Sequence, residues 1–75
     1  MSLIQAVKIG NAELVKECIK AGMRDNYAVY YAASYGHLEC LKECIKVGMK
    51  DDRAVYEAAR KGHLECEAYL KSIGA

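Results

Sequence analysis

The chain has 75 residues, enough for one small domain that buries about 60% of the surface its unfolded form exposes. Charged residues make up 28% of it but nearly cancel, to a net charge of +1, which gives no electrostatic basis for binding nucleic acid or an anionic membrane. No apolar run approaches the roughly 20 residues needed to span a bilayer, and the opening "MSLIQAVKIGN" lacks the basic start and long apolar stretch of a signal peptide.

Four cysteines without a secretory signal indicate free thiols in a reducing compartment, hence an intracellular, cytoplasmic setting. Phe, Trp and Pro are absent, so Tyr supplies every aromatic ring. Sliding the chain by 26 positions superimposes Gly10, Gly36 and Gly62, and likewise Gly22, Gly48 and Gly74. Ala6, Ala32 and Ala58 coincide, as do Glu13, Glu39 and Glu65. A fixed period through the whole chain marks a stack in which each unit buries its apolar face against its neighbours. The expectation is one domain over 1–75 in three units, at about 1–25, 26–51 and 52–75.

Each unit reads as two helices. In the first unit Leu3, Ile4 and Ala6 match Val29, Tyr30 and Ala32, and then Val55, Tyr56 and Ala58; positions alike in all three units are expected to hold the stack. In the middle unit "AVYYAASY" places Ala28, Val29, Ala32 and Ala33 on a small-residue face, with Tyr30, Tyr31, Ser34 and Tyr35 opposite. Gly36 breaks that helix and permits a tight turn. In the following "HLECLKECIKV", Leu38, Cys40, Leu41, Cys44, Ile45 and Val47 fill half of the helical circumference, and Glu39, Lys42, Glu43 and Lys46 the other half. Gly48 stands where a left-handed residue ends a helix. In the third unit Glu67 replaces Leu41 and Lys71 replaces Ile45, the polar outer face expected where a stack stops.

The runs "AASYGHLECLKECIKVGM" and "AARKGHLECEAYLKSIGA" resemble the ankyrin-repeat family: two alanines, two variable residues, Gly-His-Leu-Glu, a helix and a closing glycine. The resemblance spans essentially the whole chain. It departs in two ways: "YAVY" and "RAVY" stand where the family opens with Thr-Pro-Leu-His, and the period is 26 instead of about 33. The connecting "MRDN" and "MKDD" are too short for projecting β-hairpins. The expected fold is therefore all-α, an α-solenoid of three stacked helix-turn-helix repeats, ankyrin-like without the hairpins. The resemblance implies non-catalytic recognition of another protein.

Positions that vary between units on the first helices are not fixed by packing: Gln5, Tyr31 and Glu57; Lys8, Ser34 and Arg60; Ile9, Tyr35 and Lys61. In a stack with parallel units these nine side chains line one surface, an aromatic centre with a polar margin, as at a binding hot spot. The competing reading is that the tyrosines pack on the next repeat with their hydroxyls in water. Self-association into a homo-oligomer, through the apolar ends near Leu3 and Tyr69 or through the tyrosine surface, is the alternative function.

His37-x-x-Cys40 and His63-x-x-Cys66 raise the question of a metal. Zinc needs its four ligand atoms within about 2.0–2.3 Å, whereas equivalent positions on stacked helices lie about 8–10 Å apart. Cys18 and Cys44 share a repeat position with Leu70, and Cys40 and Cys66 share one with Leu14, which marks packing positions. His37 and His63 correspond to Asn11, so the reading is that they start helices. With no phosphate loop, Gly-x-Ser-x-Gly or His-Glu-x-x-His, the expectation is no enzyme, no metal and no cofactor.

Overall fold

The computed structural model describes residues 2–74. Six helices follow one another: α1 (Leu3–Ile9), α2 (Ala12–Lys20), α3 (Tyr27–Tyr35), α4 (Leu38–Lys46), α5 (Ala54–Lys61) and α6 (Leu64–Ser72). There is no strand among the described residues. The helices form three hairpins, α1–α2, α3–α4 and α5–α6, laid side by side. Helix α3 packs between α1 and α5, and α4 between α2 and α6. The all-helical stack expected from the 26-residue period is the observed fold.

Local chemistry sets the ends of these helices. Ser2 accepts from the Gln5 amide while Gln5 Oε1 accepts from the Ser2 amide, a reciprocal cap on α1. Asn11 Oδ1 caps α2 through the Leu14 amide at 3.1 Å. Gly10 and Gly36 close α1 and α3 with φ of 76° and 75°, a conformation that other residues resist. Each reverses the chain within two residues and lets the second helix fold back on the first.

The core follows the small-residue face. Ala6, Ala32 and Ala58 are fully buried, as are Ala28, Val29 and Ala33, so the first helices approach closely. Between them and the second helices sit Val7, Val15, Leu41, Leu70 and all four cysteines. On α4 the expected apolar half holds for Cys40, Leu41 and Cys44, which are buried, with Leu38 and Ile45 half-buried; Val47, past the helix end, is exposed. The opposite half carries the i,i+3 ion pairs Lys42–Glu39 at 3.8 Å and Lys46–Glu43 at 3.3 Å, and α2 carries Lys16–Glu13 at 3.3 Å, each adding a few tenths of a kcal/mol.

The connections between hairpins are short turns tied by side chains. Asp25 Oδ1 accepts from the Tyr27 amide and Asp51 Oδ1 from the Arg53 amide, both at 2.9 Å. Asn26 Oδ1 accepts from the Lys50 amide at 3.0 Å, linking one turn to the next. That single bond stands where a longer connection would pair strands.

One expectation about the stack needs correction. Tyr56, placed with Ile4 and Tyr30 among the residues that hold it, is 75% exposed, because no hairpin among the described residues lies beyond α5. His37 and His63 start α4 and α6, as their repeat position implied, although neither side chain makes a cap bond. Instead, His37 Nε2 lies 3.2 Å from the Lys8 carbonyl and His63 Nε2 lies 3.1 Å from the Ser34 carbonyl. A carbonyl only accepts, so Nε2 carries the proton in both rings. Each imidazole thus pins its own hairpin to the preceding one. The ring also lies against the preceding glycine: a Cβ on Gly10 would stand 2.7 Å from His37 Cε1, and one on Gly36 2.5 Å from His63 Nδ1. Glycine is therefore needed twice over at these positions, by its backbone and by its neighbour.

Candidate functional site

The first helices present the tyrosines as one cluster. Tyr31 meets Tyr30 edge-on at 5.3 Å between ring centroids and Tyr35 edge-on at 6.2 Å, orientations favoured by the ring quadrupoles. Lys8 Nζ, from α1, sits 4.5 Å from the Tyr31 centroid, a cation–π contact of about 0.5–1 kcal/mol at an exposed site. Tyr35 reaches on towards the His37 ring, 6.2 Å away. The rings and the Lys8 ammonium brace one another.

The nine residues expected to line this face divide as follows. Ile9 is 60% exposed and Tyr35 47%; Gln5, Arg60 and Lys61 are exposed, and Lys8, Tyr31 and Glu57 half-buried. Ser34 is not on the surface: it is 8% exposed. Helix α3 is flanked on both sides, and a serine is too short to reach out, whereas Lys8 and Arg60 at the same repeat position extend their stems past the neighbouring helix. Gln5 also spends its side-chain oxygen on the cap of α1.

Charges on the margin are mostly paired. Arg60 grips Glu57 through two bonds, of 2.8 and 3.2 Å, and holds its carboxyl below the usual carboxylate range. Arg53, absent from the expected set, lies 5.1 Å from the Tyr27 centroid and 4.9 Å from that of Tyr30. It also bonds Asp51 at 2.8 and 3.1 Å and lowers that carboxyl. Arg53 and Tyr27 occupy one repeat position, so comparing units hid their contact; only stacking one unit on the next reveals it.

The cysteines are free and buried. Burial pushes the Cys44 thiol up to about 12, with Cys40 and Glu43 adding to the rise. Burial likewise raises Cys40, beside Glu39 and Glu43, and Cys66, beside Glu65. These thiols stay protonated near neutral pH and are poor nucleophiles and metal ligands. Among the described residues no three of His, Cys, Asp or Glu are grouped so that they could hold a metal ion.

The sequence model of ankyrin repeats, in three copies, matches residues 3–75. The chain belongs to the ankyrin-repeat family. No curated protein and no solved structure gives a significant match. Ankyrin repeats are generally protein–protein interaction modules, and the family is typically non-catalytic. In this ankyrin stack the connections between hairpins are short turns held by Asp25, Asn26 and Asp51. No helix among the described residues is long and apolar enough to cross a membrane.

Proposed function

We propose that the chain binds a segment of a partner protein across α1, α3 and α5, with Tyr31 and Tyr35 as anchors. The observation that carries this reading is the ordered ring cluster: Tyr31 braced by Tyr30, Tyr35 and the Lys8 ammonium, and Tyr35 open to solvent. Rigid tyrosines offer contact area at little entropic cost on binding. Ile9 extends the apolar centre, and Gln5, Glu57, Arg60 and Lys61 form its polar margin. Ser34 supports the face from below. Balanced charge favours a protein over a nucleic acid as the partner. Four free thiols support a reducing, intracellular setting.

The test is the Tyr31→Ala/Tyr35→Ala double variant. Its fold is checked by circular dichroism, and its affinity for a protein captured by the wild-type chain is then measured. The expected result is a loss of at least about 30-fold, the equivalent of one hot spot. Unchanged affinity in a folded double variant rules the face out. Exposed Ile9 and Tyr35 on one face also support a second reading, pairing of two copies through these rings. Light scattering separates the two: a concentration-dependent dimer that the double variant abolishes would favour pairing.

A further inference from the structure

The two layers of helices hold their cations differently. Each of the five lysines on α2, α4 and α6 has a glutamate of its own helix within 3.9 Å. Lys8 on α1 and Lys61 on α5 have no carboxylate at ion-pair distance among the described residues. Lys8 lies over the Tyr31 ring instead, and Lys61 is exposed. The one carboxylate of the face, Glu57, is held by Arg60 through two bonds, and Lys61 attracts it only from farther off.

These charges frame an apolar centre. Apart from buried Ser34, the face carries three cations and one anion, a larger positive surplus than the +1 of the whole chain. Tyr35 and Ile9 share a repeat position on neighbouring helices, and both are open to solvent. Lys8 and Lys61 stand on the two helices that flank α3. Packed helices lie about 8–10 Å apart, so the axes carrying the two lysines are about 16–20 Å apart. An extended chain rises about 3.3 Å per residue and covers that span in about five or six residues.

We propose that the partner segment is extended and acidic, with two carboxylates about five or six residues apart and an apolar side chain between them; this rests on the tyrosine face being the binding site. The carboxylates pair with Lys8 and Lys61, and the apolar side chain lies on Tyr35 and Ile9. A nucleic acid is a poorer occupant, because two cations this far apart leave the phosphates between them without partners.

The probe is a library of random peptides of about a dozen residues displayed on phage, selected on the 75-residue chain. Enriched sequences are remade and their affinities measured by fluorescence anisotropy, with the fold of each protein variant checked by circular dichroism. Asp or Glu at the stated spacing around an apolar residue is the expected enrichment. Lys61→Glu and Lys8→Glu should each weaken binding by about 5-fold or more, and added salt should weaken the wild-type complex. Lys50→Glu makes the same change of net charge between α4 and α5, away from the face, and should leave affinity unchanged. Enriched peptides without paired carboxylates, an equal loss from Lys50→Glu, or a single-stranded oligonucleotide competing as well as the peptide would each overturn the acidic segment. The tyrosine face itself would survive those results so long as Tyr31→Ala/Tyr35→Ala still abolishes binding. Peptides held equally well by that double variant, or no enrichment at all, would overturn both.

Discussion

The middle hairpin and the last one share most of their letters and lead different lives. Tyr30 is half-buried and Tyr56 largely in water; Leu38 is half-covered and Leu64 bare. At one position of the second helix Leu41 is fully buried, while its counterpart Glu67 is paired with Lys71 at 2.9 Å on the outer face. The difference lies in the neighbours. A hairpin flanked on both sides buries whatever side chain occupies the joint, and a hairpin flanked on one side leaves it to solvent. Burial in a stack is thus a property of place as much as of residue type.

The largest expected consequence is at the second-helix joint. Leu41→Ala removes a fully buried side chain and should cost about 2–5 kcal/mol. That rivals the whole stability of a domain this small, so the variant should be largely unfolded at room temperature. Leu41→Val, expected to lose about 1 kcal/mol, keeps the measurement within range. Glu67→Ala at the equivalent position should lie within about 0.5 kcal/mol of wild type. Urea midpoints of the four proteins make the test. Similar losses at 41 and 67 would show that the two hairpins are equally embedded.

A smaller and sharper contrast lies at the glycines. Gly36→Ala and Gly62→Ala both place a side chain on a left-handed backbone, at about 1 kcal/mol or somewhat more. Only Gly36→Ala also drives a methyl into the His63 ring. Overpacking of that kind adds about 1–3 kcal/mol, so the two variants should differ by that amount in urea unfolding. Equal losses would mean that the imidazole swings aside freely and does not lock the hairpins together.

These contrasts also show what could be read in the letters. The period, the small-residue face and the identity of cysteine positions as packing positions were all legible, because each is a statement about one unit compared with itself. Cys18 and Cys44 share their position with Leu70, and all three are buried. What escaped were relations between units. His37 starts α4 as its repeat position implied, but nothing within its own unit points to its partner carbonyl, 29 positions back. Ser34 varies between repeats as a surface residue does, yet its small size and two flanking helices bury it. The meeting of Arg53 with Tyr27 and Tyr30 needs the pitch of the stack, which no single unit contains.

The smallest expected effect separates the turns leading into the two hairpins. Asp25 and Asp51 each accept a backbone N–H two residues on, but only Asp51 also faces a guanidinium, that of Arg53. Arg53 holds the Asp51 carboxyl below its ordinary value in the folded chain. A depressed folded value means stability that is present above the unfolded carboxylate range, about pH 4, and lost as pH falls through the folded value. Asp51→Asn keeps the acceptor for the backbone amide and removes the charge. It should therefore be slightly less stable than wild type at pH 7 and should converge with it as the medium is acidified. Because the Arg53 side chain is more than half exposed, the gap at pH 7 should stay below about 1 kcal/mol and shrink in high salt. Asp25→Asn has no guanidinium to lose, so its stability should follow wild type more closely across the same pH range. If both substitutions flatten the acid limb equally, the Arg53 bridge is not what distinguishes the second turn, and its stacking on Tyr27 and Tyr30 alone orders the entrance to the last hairpin.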